Sequence, residues 1–104
     1  MQEFNLPGFD IQDLVGRGGM ASVWRAKQLS LDRTVAIKVL SPRFASDPDD
    51  IDRFQQEARA AARLKHPGIV QVYDASNVGG IYYFVMEYVA GYTVGDWVRR
   101  KKML

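Results

Sequence analysis

Two short stretches carry the residue types that handle phosphate. Gly16-Arg17-Gly18-Gly19-Met20-Ala21-Ser22-Val23 is glycine-rich, and Val35-Ala36-Ile37-Lys38 follows with one lysine inside an apolar run. Glycine lets backbone N–H groups come close to phosphate oxygens. A lysine ammonium is a point charge that can reach the same oxygens. Either stretch alone is ambiguous. Gly16-x-Gly18-x-x-Ala21 also fits the dinucleotide-binding fingerprint. A glycine-rich hairpin with no ligand is as ordinary a reading of the loop. The dinucleotide reading needs a helix directly after the glycines. Ser22–Gln28 has no helical apolar stripe, and it runs into Leu29-Ser30-Leu31-Asp32-Arg33, which reads as a turn. The acidic residue required about twenty positions on is also missing, since Lys38 stands there.

Periodicity supplies the elements that must position these residues. Phe9, Ile11, Leu14 and Val15 before the glycines, and Val23 and Trp24 after them, predict two strands joined by a sharp turn at Gly16, Gly18 and Gly19. Thr34–Leu40 alternates. Val35, Ile37 and Val39 share one face, and Thr34, Ala36, Lys38 and Leu40 share the other. Lys38 either lays its stem on apolar surface with its head in water, or needs a partner if that face is covered. Asp47–Leu64 reads as a helix, with Asp47 as N-cap, Pro48 at the first position and His66-Pro67 beyond its end. Asp49, Asp50 and Asp52 lie near its start and Arg59, Arg63 and Lys65 near its end, which complements the helix dipole. Ile51, Phe54, Ala58 and Ala61 form its apolar stripe. Glu57 sits beside the stripe, facing either water or the sheet margin. Ile69–Asp74 and Ile81–Met86 are two further strands, with Asn77-Val78-Gly79-Gly80 as the turn between them. Thr93-Val94-Gly95-Asp96 opens a last helix, with Thr93 as its cap.

In this order the elements resemble the N-terminal lobe of a eukaryotic-like (Hanks-type) Ser/Thr protein kinase, with the bacterial members most similar. The kinase pattern G-x-G-x-x-G-x-V is met at Gly16, Gly18 and Val23, with Ala21 in place of the third glycine. Phe54-Gln55-Gln56-Glu57-Ala58 and Leu64-Lys65-His66-Pro67-x-Ile69-Val70 are similar to the family's αC helix and the joint after it. The resemblance implies an α+β fold, a five-stranded antiparallel sheet with the αC helix and the start of αD. The whole chain, 1–104, is one domain, with strands and αC over about 9–86, a hinge at 87–91 and αD at 93–102. It implies that Lys38, paired with Glu57, holds the α- and β-phosphates of ATP. The loop from Gly16 to Val23, with Arg17, Gly19, Met20, Ala21 and Ser22, covers them. Met86 becomes the gatekeeper, the Glu87 carbonyl and Val89 N–H take the adenine edge, and Val15, Val23, Ala36 and Val70 sandwich the ring. Ala61 and Val72 fall in the family's regulatory hydrophobic stack. The catalytic loop H-R-D-x-x-x-x-N and the D-F-G motif are not in the sequence, so Mg²⁺ ligands and the catalytic aspartate are expected outside it. The chain alone is expected to be inactive, a fragment ending in mid-helix at Lys101-Lys102-Met103-Leu104. The partners implied are ATP, a protein substrate and a homodimer formed through the N-lobe or by exchange of the last strand and αD. The alternative is a nucleotide-binding or dimerisation module of a pseudokinase.

Composition sets the outer limits. A chain of 104 residues, 47% hydrophobic and 25% charged, is an ordinary globular domain with a modest core. A net charge of +2 is too small to argue for nucleic acid. The Arg99–Lys102 cluster reads as a solvated helix end. With no cysteine there is no disulfide and no thiolate chemistry, in keeping with a reducing compartment. No signal peptide is read at Met1, and the apolar stretch Ile81–Val94, interrupted by Glu87, is too short to span a bilayer. The expectation is a cytoplasmic segment with no membrane contact, any transmembrane segment of the parent lying downstream of it. His66 has no second ligand near it in sequence, so no metal site is expected.

Overall fold

The alternation over Thr34–Leu40 makes a strand whose two faces are both covered. The computed structural model describes residues 4–63 and 70–90. In it β1 (Phe9–Gly18), β2 (Ala21–Gln28) and β3 (Arg33–Leu40) are followed by a 3-10 turn at Pro42–Phe44 and helix α1 (Pro48–Arg63). Then come β4 (Val72–Val78) and β5 (Ile81–Glu87). The strands form one sheet in the order β1-β2-β3-β5-β4, and every neighbouring pair is antiparallel. β3 lies at the centre of this order, and each residue from Val35 to Leu40 is buried.

Two apolar clusters lie on opposite faces of the sheet. The inner one joins Val23, Ala36 and Leu40 to Phe54, Ala58 and Ala61 of α1 and to Val70, Val72, Phe84 and Met86. The outer one joins Val35, Ile37 and Val39 to Ile11, Trp24, Ala26, Tyr83 and Val85. The two alternate sets of β3 thus split between the two cores, as the sequence pattern predicts. The segment before β1 closes the outer face. Leu6 is buried there, Phe4 meets the edge of Trp24 at 5.2 Å between centroids, and Phe9 meets Tyr83 at 6.2 Å.

β1 does not alternate in sequence, because it carries two irregularities. Pairing with β2 slips between Ile11 and Asp13 and again between Leu14 and Gly16. Each extra residue re-aims the side chains that follow. Ile11 therefore packs into the outer cluster while Val15, four positions on, packs against the inner one. On the same hairpin Arg25 donates to Asp13 (2.7 Å from Nε), and that hydrogen bond holds the Arg25 guanidinium above its ordinary pKa. The pair is exposed, so it adds little to stability.

α1 begins where the sequence predicts. The Asp49 N–H donates to Asp47 Oδ1 at 2.9 Å, and the Asp47 carbonyl accepts from Ile51 N–H at 3.0 Å. Asp47 is thus the N-cap and Pro48 opens the helix. The predicted helix end at His66-Pro67 lies outside the described residues.

One strand differs from its prediction. β4 begins at Val72, not Ile69, and runs through Asn77 and Val78, where the sequence predicts turn. It is an edge strand bound only to β5, and from Tyr73 to Val78 it is exposed. A strand solvated on both faces has no apolar alternation to betray it. The turn is accordingly Gly79-Gly80 alone, with φ of 55° and 84° at the two residues. Positive φ at both central positions is the type I′ pattern that fits the strand twist and favours glycine. Glu87, expected in the hinge, is the last residue of β5 and pairs with Val35. The αD helix at 93–102 and its Thr93 cap lie outside the described residues.

Candidate nucleotide site

Lys38 points from β3 toward α1, where it meets Glu57. Its Nζ donates to Glu57 Oε1 at 2.8 Å. The two side chains keep 9% and 16% of their accessible surface. Burial this deep makes an unpaired ammonium costly, so the pair answers the question the strand pattern posed. Glu57 lies one turn after Phe54 and one turn before Ala61 on the buried side of α1. The Phe54 ring packs on Phe84 at 5.0 Å, and Lys38 Nζ stands 5.5 Å from the Phe84 centroid. Phe84 is directly opposite Lys38 in the β3–β5 register. Phe84 thus packs beside Lys38 and against the helix that carries Glu57, a role that sequence reasoning misses. Its parity with Lys38 across the sheet is the available signal, but only a known register makes that parity usable.

The glycine-rich stretch is a tight hairpin. Gly16, Arg17 and Gly18 end β1, Gly19 and Met20 make the turn, and Ala21, Ser22 and Val23 start β2. A strand follows the glycines where the dinucleotide fingerprint requires a helix, which removes that reading. Gly19 has ordinary φ, and a Cβ built on it would meet no atom within 4 Å. Nothing in the fold therefore requires glycine at this turn, and its bareness is open toward an approaching group.

Side-chain directions divide the predicted contact residues. Val23 is opposite Lys38 in the β2–β3 register, so Val23 shares the lysine's face. Ala36, Val70 and Met86 are buried in the same inner cluster, and Val15, Met20, Ala21, Tyr88 and Val89 are half-buried against it. Ala61 and Val72 of the predicted hydrophobic stack also join this cluster. Ser22 turns the other way. It is buried, and its Oγ accepts from Trp24 Nε1 at 2.9 Å on the outer face. Only its backbone is available to a ligand on the lysine side. Arg17, opposite Ser22 in register, is exposed. Glu87 engages Gln71 twice, its N–H donating to the Gln71 carbonyl (2.9 Å) and its Oε1 accepting from the Gln71 N–H (3.3 Å). Among the described residues no group of three or more His, Cys, Asp or Glu is arranged to hold a metal.

The Protein kinase domain family model matches residues 9–104. The Ser/Thr-protein kinase PrkC of Bacillus subtilis is 46% identical over 90 residues, covering 86% of this chain and 14% of PrkC. The Ser/Thr-protein kinase PknA of Mycobacterium tuberculosis is 42% identical over 97 residues, covering 88% of this chain and 22% of PknA. Among solved structures, the apo form of PpkA-294 superposes with a TM-score of 0.76 at 30% identity, covering 89% of this chain and 40% of that one. The Mycobacterium tuberculosis PknI kinase domain gives 0.68 at 34% identity, covering 83% of this chain and 35% of that one. The chain belongs to the protein kinase domain family. It is homologous to bacterial Ser/Thr kinases, spans the N-terminal part of the kinase domain, and covers 14% and 22% of the two curated relatives named.

Proposed function

We propose that this chain is the ATP-binding wall of a Ser/Thr protein kinase that transfers the γ-phosphate of ATP to protein hydroxyls. The observation that carries the reading is the buried Lys38–Glu57 pair on the face that Val23 of the glycine hairpin shares. Lys38 would hold the α- and β-phosphates, with Glu57 fixing the ammonium in place. The backbone of Gly16–Val23, Ser22 included, would lie over the phosphates, its approach left open by the bare turn at Gly19. Val15, Val23, Ala36, Val70 and Met86 would contact the adenine ring. The Glu87 carbonyl and Val89 N–H would meet its edge. The Glu87 side chain is left out of this set because Gln71 occupies it.

Protein kinases use ATP with Mg²⁺, which when bound would supply neutralisation of the charge on the phosphates. Its ligands and the catalytic aspartate belong to motifs this sequence does not contain, so transfer needs those motifs supplied beyond this segment. The residues present bind and orient nucleotide; they do not activate the accepting hydroxyl. The substrate of such a kinase is a protein Ser or Thr. Self-association through this lobe is supported by the β2–β3 turn, where Leu29 and Leu31 are 56% and 60% exposed. Exchange of the last strand and αD, the alternative route to a dimer, concerns residues outside those described. A cytoplasmic setting is part of the same proposal. Among the described residues no helix is long and apolar enough to cross a membrane.

A pseudokinase or pure dimerisation module is the competing reading. The intact Lys38–Glu57 pair favours an active kinase. The experiment is phosphate transfer from labelled ATP to a generic protein substrate by the kinase that contains this segment, wild type against Lys38→Met. Transfer lost per folded molecule in the variant supports the reading. Equal transfer by both forms refutes the role of Lys38.

A further inference from the structure

The face of the glycine hairpin turned away from Lys38 borders a cleft of about 440 Å³. That size is within the range of small-molecule sites. Phe4, Trp24 and Ile81 of the outer face line it, together with Arg17 and Ser22 of the hairpin. The Ser41–Ser46 connection to α1 and the Gly79-Gly80 turn complete the rim. A Cβ added at Gly79 or Gly80 would meet no atom within 4 Å, so that rim is bare.

The cleft has a defined polar group at its wall. Ser22 is 7% exposed, and its Oγ already accepts from the Trp24 indole N–H. A hydroxyl also carries a donor. Among the described residues no acceptor takes the Ser22 proton. A buried donor left unmatched is unfavourable and is commonly matched by a ligand or water. Aromatic rings at Phe4 and Trp24, a buried hydroxyl donor and a cationic Arg17 side chain at the wall together suit one ligand chemistry. We infer that this cleft binds a small aromatic carboxylate, its ring against Phe4 and Trp24 and its carboxylate accepting from Ser22.

The location gives the site a consequence. Its two principal walls are the glycine hairpin and the connection that leads to α1, the helix carrying Glu57. They are already joined at one point, where the Ser41 N–H donates to the Met20 carbonyl at 2.7 Å. A ligand between them biases both halves of the nucleotide site from behind, and by linkage nucleotide biases the ligand equally. This second statement rests on the nucleotide reading above; the existence of the site does not.

The test is a titration of the isotope-labelled protein with naphthoate, read at the indole N–H of Trp24. A saturable shift is expected that persists with Mg-ATP at saturation. Ser22→Ala should weaken it roughly fivefold through loss of one hydrogen bond, and Ser46→Trp, which fills the rim, should abolish it. No saturable shift, displacement by ATP, or unchanged binding in both variants would overturn the site. Saturating naphthoate should then change ATP affinity about fivefold in either direction. Identical ATP affinity with and without naphthoate overturns the coupling. ATP binding by neither form sinks the nucleotide reading, while the naphthoate titration still decides the cleft.

Discussion

The sheet contains two glycine hairpins, and they use glycine for different reasons. At the β4–β5 turn Gly79 and Gly80 both have positive φ, and the backbone itself demands them. At the β1–β2 turn Gly19 has ordinary φ and open space around its missing Cβ. Glycine in the first case solves a folding problem. In the second it leaves room for something that is not part of the chain. The second hairpin also borders a buried lysine–glutamate pair, and the first does not. Glycine in a turn therefore says nothing about function until the dihedral angles and the neighbours are known.

Four substitutions put that contrast at risk, beginning with the largest effect. Lys38→Met should reduce phosphate transfer by the containing kinase about a hundredfold or more, because charge stabilisation of the phosphates is lost. Its melting temperature should fall as well, because the largely buried Glu57 carboxylate loses the ammonium that donates to it, so transfer is compared per folded molecule. Gly80→Val should cost about 1–3 kcal/mol of stability in a denaturant titration, as a β-branched residue is forced to positive φ. Nucleotide affinity per folded molecule should not move. Gly19→Val should show the reverse, with stability within about 0.5 kcal/mol of wild type and ATP affinity lowered roughly tenfold, or about 1.4 kcal/mol. Asp47→Ala should cost about 1 kcal/mol of stability through loss of the helix cap, again without a nucleotide effect.

Much of this is legible in the sequence, for identifiable reasons. β3 and α1 each bury one clear apolar pattern, and both lie close to their predicted positions. The cap at Asp47 is readable because capping is local chemistry. Pairing of Lys38 with Glu57 follows from resemblance, but periodicity alone leaves Glu57 on a margin. It takes the Phe54–Phe84 contact and the β3–β5 register to bring the carboxylate to the ammonium. β1 and β4 are harder. The slip in the β1 ladder between Ile11 and Asp13 puts Ile11 and Val15 on opposite faces despite equal parity. Residues 73–78 of β4 are a solvated edge whose Asp74-Ala75-Ser76-Asn77 run looks like loop. Ser22 lies in the glycine hairpin as its position predicts, but its side chain answers to Trp24 on the other face. Side-chain direction near a hairpin depends on register, which no single stretch of sequence contains.

The decisive measurement is ATP affinity and unfolding free energy determined side by side for Gly19→Val and Gly80→Val. The expected outcome is that the first loses affinity and keeps stability, while the second loses stability and keeps affinity. If Gly19→Val binds ATP as wild type does, or loses stability as Gly80→Val does, the glycine hairpin beside Lys38 is an ordinary turn and the proposed nucleotide site is wrong.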